Sequence, residues 1–324
     1  MITFAKKNIV MKVFHGLENG FSAKHPVVTI GTFDGVHLGH QKILQKINKE
    51  AEKVGGESVL FTFHPHPRIV LNPENHNLKL LQTQEEKIDK LARIGLQNLI
   101  IYPFTTDFSN LTALEFVRDI LVKKIKVKTL VIGYDHQFGK NREGGIEFLQ
   151  SVSEEFGFSV IEIPVQEIND VNVSSTKIRN ALLEGDIALA NSYLTDSFEL
   201  TGKVVEGQAL GRKLGFPTAN LDLETELKLI PRNGVYAVEV ILNDGRQKQG
   251  IMNIGSRPTI HAFGQLSLEV HILDFNEDLY GQTLRVQFLD AIRKERTFAN
   301  TDELIEQIKK DEKHARSIFA AHTL

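Results

Sequence analysis

The sequence predicts an α/β half, with a doubly wound parallel sheet, followed by a half that is a small antiparallel barrel or sandwich. Three observations point to it. Between residues 27 and 165, short β-branched runs alternate with stretches whose apolar residues fall at helical spacing. That alternation indicates βαβ units and a parallel sheet covered on both faces. From residue 198 the period changes to two, as in antiparallel strands. Finally, 324 residues exceed what one core usually serves, so the change of rhythm reads as a domain seam near residues 185–198. The expected domains are residues 11–190 and 198–324.

The elements follow in order. "MKVF" from Met11 opens a strand-like stretch, and "VVTIG" (27–31) is the first buried strand. "LGHQKILQKINKEAEKVG" is a helix with Ile43, Leu44 and Ile47 at helical spacing and Gly55-Gly56 at its end. "SVLFTF" is a strand, and "TQEEKIDKLARIG" a helix closed near Gly95. "NLIIYPF", "TALEFVRDILVKKI", "VKTLVIG", "GIEFLQSVSEEFG" and "SVIEIP" continue the alternation, and "SSTKIRNALLEGDIALANSYL" is a helical close to this half. Then come "FELTGKVVEG", two strands of "GVYAVEVILNDGRQKQGIMNIG" about an Asp244-Gly245 turn, "SLEVHILDF" and "TLRVQFLDAI". A helix starting near Asn300, with Glu303 placed for a capping box, ends the chain.

Composition narrows the function. A formal net charge of −3 without long runs of like charge argues against a nucleic-acid partner. There is no cysteine, which excludes disulfides, thiol nucleophiles and Cys-based zinc sites. No run approaches the roughly 18 apolar residues of a membrane span, and no signal peptide is legible, so the expected location is the cytoplasm. The composition sets no oligomeric state.

Every polar cluster of the first half follows a strand, where α/β sheets bind ligands. In "GTFDGVHLGH", Gly31, Gly35 and Gly39 would let an anion approach the backbone, and His37 and His40 could donate to phosphate oxygens. A Gly-rich turn with polar rim residues accounts for the same stretch. Zinc fits less well, because the helical zinc motif spaces its histidines four apart around a Glu. In "TFHPHPRIV" the prolines should keep the segment extended, with His64 and His66 facing one way as a metal pair or, more commonly, as polar loop residues; a phosphate or ribose contact from Arg68 ranks above either. "GYDHQFGKNREGG" has five residues between Gly133 and Gly139 and lacks Lys-Ser/Thr, so it is no P-loop; no GxGxxG occurs either. The hydroxyls of "SSTKIR" could serve only as a helix cap.

In the second half, "GQALGRKLGFPTAN" is a Gly-rich basic loop, either one that folds over a triphosphate or a plain surface loop, ending in Thr218 and Asn220, hard oxygen donors suited to Mg²⁺. Strand alternation puts Ser267, Glu269 and His271 on one face, either a site or a solvated strand face.

With these motifs quoted, the chain resembles the bacterial bifunctional riboflavin kinase/FAD synthetase family over nearly its whole length. The motifs are "GTFDGVHLGH", "TFHPHPR", "GYDHQFGKNREG", "SSTKIR", "LGFPTAN", "NIGSRPT" and "LEVHILDF", in the family's order. Thr32 stands where the family commonly has Asn, and keeps a hydrogen-bonding group. The resemblance implies a HIGH-type nucleotidyltransferase half that joins FMN and ATP into FAD and pyrophosphate. Its nucleotide site would comprise Gly31, Thr32, Phe33, Asp34, Gly35, His37 and His40, with Ser174, Ser175, Thr176 and Arg179 closing over it. His64, Arg68, Asp135 and Phe138 would border the FMN and adenine ends. The other half would be a riboflavin-kinase barrel, with Glu269 as general base and Thr218 and Asn220 holding Mg²⁺. Gly207, Gly211, Lys213 and Gly215 would form a flap, and Asn253 and Arg257 would contact the ligands. ATP is then the co-substrate, FMN and FAD are intermediate and product, and the partners are small molecules. A chain with only one working half, or a flavin-binding regulator, is the alternative; retention of Glu269 argues for an enzyme.

Overall fold

The computed structural model describes residues 10–74, 78–134, 136–164, 173–207, 211, 214–256 and 266–322. The chain divides into two compact units, Met1–Ser174 and Ser175–Leu324.

In the first unit, β1 (Lys12–His15), β2 (Val27–Ile30), β3 (Ser58–His64), β4 (Asn98–Pro103), β5 (Thr129–Gly133) and β6 (Ser159–Ile163) form one sheet in the order β1-β4-β3-β2-β5-β6. All pairings are parallel. Strand alternation sends Val28, Ile30, Val59, Phe61, Ile100, Leu130 and Ile132 into a core under the helical stretch Phe116–Ile125. It sends Val27, Leu60, Leu99 and Val131 to the opposite core, where α1 (Leu38–Lys53) and α3 (Gln84–Ile94) contribute Leu44, Ile47 and Leu91. Both faces are covered, as the continuous apolar runs require. The short α2 (Pro67–Leu71), α4 (Thr106–Ser109) and α5 (Ala113–Glu115), and then α6 (Ile146–Phe156), complete the unit. A capping box between Thr83 and Glu86 starts α3, and Gly95, at φ 86°, ends it.

The second unit opens with α7 (Ser175–Glu184) and α8 (Ile187–Leu194). The sequence reading gave residues up to 190 to the first half, and the packing divides the chain earlier. The Asn191 amide bonds Phe288 O and accepts from Phe198 N, while Leu182 O accepts from Arg232 N, so the two helices are fastened to the strands that follow them. Those strands are β7 (Glu199–Val205), β8 (Ala219–Asp222), β9 (Gly234–Ile241), β10 (Gln247–Ser256), β11 (Leu266–Ile272) and β12 (Thr283–Lys294). They close into an antiparallel barrel in the order β10-β11-β8-β7-β12-β9. Its β9–β10 hairpin turns at Asp244-Gly245, with Gly245 at φ 84°. The terminal α9 (Thr301–His322) lays Ala315, Ile318 and Phe319 on Val235, Ala237, Ile251 and Leu289. Asn300 caps it by accepting from Glu303 N, but the Glu303 carboxylate accepts from Ala299 N, one residue before the expected partner.

Candidate active sites

β2 lies between β3 and β5, where the winding reverses, and ligands of open α/β sheets gather beyond the strand ends at such a point. Residues 31–37 occupy that position. Their backbone turns through positive φ at Phe33 (50°), Gly35 (86°) and Val36 (40°). For Phe33 and Val36 this conformation costs about 1 kcal/mol or more each. Both side chains are buried in the core shared with α1 and α3, and that packing holds them. The three glycines have separate tasks. Gly35 supplies φ; a Cβ on Gly31 would stand 2.9 Å from the Phe33 ring, and one on Gly39 3.3 Å from the His37 ring. Gly31 and Gly39 therefore make room for rings, a reason other than the approach of an anion.

His37 is the N-cap of α1, its Nδ1 accepting from His40 N at 3.4 Å. The two imidazoles stack with centroids 3.7 Å apart, and Phe33 stacks on the other partner, His40, at 4.6 Å. The first turn of α1 has no acidic residue, so its dipole is left to act on whatever meets the turn. Burial, then the charges of His37, Lys87 and Lys90, hold His40 well below the usual histidine range. The Asp34 carboxylate is buried and accepts from Leu81 N at 3.0 and 3.2 Å, so it ties a neighbouring segment to the turn.

Sequence reasoning missed two residues beneath this turn. Lys87 and Lys90 of α3 are only 7% and 4% exposed. The Lys87 ammonium donates to Thr32 O at 2.9 Å and that of Lys90 to Gly35 O at 3.4 Å. Burial lowers the proton affinity of Lys87, and Asp34 partly restores it. The signal was present: Lys87, Lys90, Leu91 and Ile94 share one stripe of the helix, so the lysines sit where apolar residues would face the core.

The remaining expectations have mixed outcomes. His64 ends β3, its proton affinity lowered by burial and then by Lys87 and His15. His66 does not share an extended face with it: a helix begins at Pro67, and His66 caps it by accepting from Arg68 N at 3.1 Å. Proline suits the first helical position as well as an extended strand, which is why the extended expectation failed. Arg68 is exposed on α2. Phe138 pairs with Gly144 through two backbone bonds of 2.9 Å and packs its ring on Phe116 at 5.4 Å. Ser174 ends the first unit, and Ser175, Thr176 and Arg179 lie on α7 in the second. Asp135, Lys213 and Arg257 lie outside the described residues.

On the barrel, Asn220 of β8, Glu269 of β11 and Asn253 of β10 form one cross-strand row. The Glu269 carboxylate accepts from Ser267 Oγ at 2.8 Å and from Thr218 Oγ1 at 3.3 Å. Ser267 and Asn220 are buried, so this is not a solvated strand face. His271, also expected on that face, bonds Pro217 O through Nδ1 at 2.7 Å and so fixes the chain just before Thr218. A Cβ on Gly207 would come 2.1 Å from Asn220 Nδ2, and one on Gly211 2.3 Å from Phe216 O, whereas Gly215 takes φ 89°. The described part of the loop thus folds directly against the Thr218–Asn220 segment. Among the described residues, no group of three His, Asp or Glu could hold a metal ion. Thr218 and Asn220 are of the hydroxyl and amide kind, outside such groups.

A family model described as FAD synthetase matches residues 21–177, and one described as riboflavin kinase matches residues 194–319. The bifunctional riboflavin kinase/FMN adenylyltransferase of Escherichia coli (strain K12) is 40% identical over 311 residues, covering 95% of this chain and 98% of that relative. Its namesake in Listeria monocytogenes is 36% identical over 294 residues, covering 91% and 92%. A crystal structure described as a macrolide-efflux protein from Streptococcus pneumoniae superposes with TM-score 0.85 at 34% identity, covering 95% of this chain and 99% of that one. Among the described residues of the present chain, no helix is long and apolar enough to cross a membrane. With both domain models matched in order and the relatives aligned almost end to end, the chain belongs to the bifunctional riboflavin kinase/FMN adenylyltransferase family.

Proposed function

We propose that the barrel unit phosphorylates riboflavin with ATP to give FMN, and that the sheet unit joins FMN to ATP to give FAD and pyrophosphate. The observation that carries this reading is the Glu269 carboxylate, held by Ser267 and Thr218 beside Asn220, an arrangement that binding alone does not require.

In the kinase step, Glu269 takes the proton of the ribityl 5′-hydroxyl as that oxygen attacks the terminal phosphorus of ATP, and the bond from this phosphorus to the β-phosphate oxygen breaks, so ADP leaves. Each carboxylate oxygen already accepts one hydroxyl and keeps a further lone pair for the substrate. Thr218 gives its hydrogen to Glu269, which leaves its oxygen lone pairs for a cation; with the Asn220 amide oxygen it forms a hard-donor pair that fits Mg²⁺. Bound there, the ion would neutralise charge on the phosphates. Gly207, Gly211, Lys213 and Gly215 would cover the nucleotide, and Asn253 and Arg257 would flank it.

In the adenylyl step, an FMN phosphate oxygen attacks the α-phosphorus of ATP and the bond to the β-phosphate oxygen breaks, so pyrophosphate leaves. The α1 N-terminus and the His37–His40 pair supply donors where that charge develops. His64, Arg68, Phe138 and Ser174 would complete the contacts to the nucleotides. The reaction is placed in the cytoplasm, where ATP is supplied.

The test is a mixture of purified protein, riboflavin, ATP and Mg²⁺ with the flavins separated by chromatography. FMN and then FAD should accumulate. Formation of neither overturns the reading.

A further inference from the structure

The ladder between β8 and β11 pairs Asn220 with Glu269 and Ala219 with Val270, and β8 begins at Ala219. Thr218 therefore stands just before the strand, where side chains of β11 carry the fastening onward. Alternation puts Glu269 and His271 on one face of β11. Glu269 accepts from Thr218 Oγ1 at 3.3 Å, and two residues further along the His271 ring meets Pro217 O through Nδ1 at 2.7 Å. A carbonyl oxygen can only accept, so Nδ1 carries the hydrogen and donates it. The bond survives protonation of the ring, because an imidazolium keeps that hydrogen.

Proline gives this bond its reach. The Pro217 carbonyl shares one rigid peptide plane with Thr218 N and Cα, so anchoring its oxygen sets where the Thr218 Cα lies. On the other side the pyrrolidine ring fixes φ of Pro217. Thr218 is β-branched and has few χ1 settings, so its hydroxyl follows its backbone. Phe216, the residue before, donates its N–H to Gly211 O at 2.8 Å. Its ring meets the half-buried His271 ring edge-on, with centroids 5.8 Å apart. His271 thus touches both of the residues that lead into Thr218.

We propose that His271 is a positioning residue of the kinase site. By donating to Pro217 O it sets the Thr218 hydroxyl, which bonds Glu269 and, with the Asn220 amide oxygen, would hold the cation. It acts through the peptide plane and not by contact with the reacting atoms. This deepens the kinase reading and rests on it.

Two variants of the full-length protein separate the donor from the ring. His271→Asn keeps an N–H donor near the place of Nδ1 and loses the ring, whereas His271→Phe keeps a ring for Phe216 and loses the donor. In protein free of metal and nucleotide, amide exchange over residues 214–220 should be faster in His271→Phe than in the parent, with His271→Asn close to the parent. Mg·ADP, titrated calorimetrically, should bind His271→Phe about tenfold more weakly, and the Mg²⁺ needed for half-maximal FMN formation should rise similarly. In His271→Asn both quantities should stay close to the parent's. FAD formation from supplied FMN should be unchanged in both variants. Parent-like Mg·ADP binding in His271→Phe overturns the proposal. So does a loss in His271→Asn as large as in His271→Phe, since the ring would then matter and not the N–H. If His271→Phe does not fold, His271→Leu is read in its place. A parent that makes no FMN, while Mg·ADP binding responds to the variants as stated, would sink the kinase reading and leave the positioning standing.

Discussion

His37 accepts the His40 N–H at the start of α1 and stacks on its ring, so His37→Ala removes a cap, a stacking partner and a phosphate donor together. His37→Asn restores a cap acceptor. The alanine variant should lose about 1 kcal/mol of stability in urea unfolding and the asparagine variant clearly less. Both should lower FAD formation from supplied FMN by about 100-fold while riboflavin phosphorylation persists. Glu269→Gln keeps the shape that Ser267 and Thr218 hold but removes the base. FMN formation should fall by about 100-fold or more, with FAD still made from supplied FMN. If either change abolished both activities in a folded protein, the two sites would not be independent. His40 adds a pH dependence whose sign follows from its burial. Its proton affinity is lower folded than unfolded, where histidine titrates near 6.5. The unfolded chain then binds more protons as pH falls, so stability is complete above about 6.5 and is lost on acidification. The urea midpoint of the parent should drop between pH 7.5 and pH 5, and His40→Phe should flatten that drop.

At the scale of elements, the close approach of Gly207 to Asn220 ties the loop after β7 to strand β8. Gly207→Ala must move one of them, and Asn220 stands in the row with Glu269. The expected outcome is a fall in FMN formation of about tenfold or more, with a thermal melt close to the parent's, because the strain falls on a loop and not on a core. This contact also shows what the sequence made legible. Buried strands, amphipathic helices and the Asp244-Gly245 hairpin were readable because period and turn chemistry agree locally. The position of "GTFDGVHLGH" after a strand was readable for the same reason. The tasks of Gly31, Gly39 and Gly207 were not, since each answers to a side chain that only the folded chain brings near. Lys87 and Lys90 escaped because lysine on a helix is ordinarily taken for its solvated face. His66 escaped because Pro67 is compatible with two backbone shapes.

For the whole molecule, the seam at Ser174–Ser175 differs from the boundary suggested by the change of rhythm. Helical periodicity marks α7 and α8 as helices but does not say which core they cover. Their bonds to Phe198, Arg232 and Phe288 do. A fragment of residues 175–324 should fold and phosphorylate riboflavin. One starting at 198 should melt several degrees lower in circular dichroism, having lost those bonds and the buried Ile178, Leu182 and Ile187. Closure of the barrel has a different consequence from the open sheet beside it in sequence. Among the described residues, every strand of the barrel is paired on both sides, whereas β1 pairs only with β4 and β6 only with β5. Unpaired strand edges are templates for other chains. The risk of aggregation during synthesis or heating therefore rests on the sheet unit, which leaves the ribosome first, and its guards are strands of only four and five residues with a lysine on the leading one.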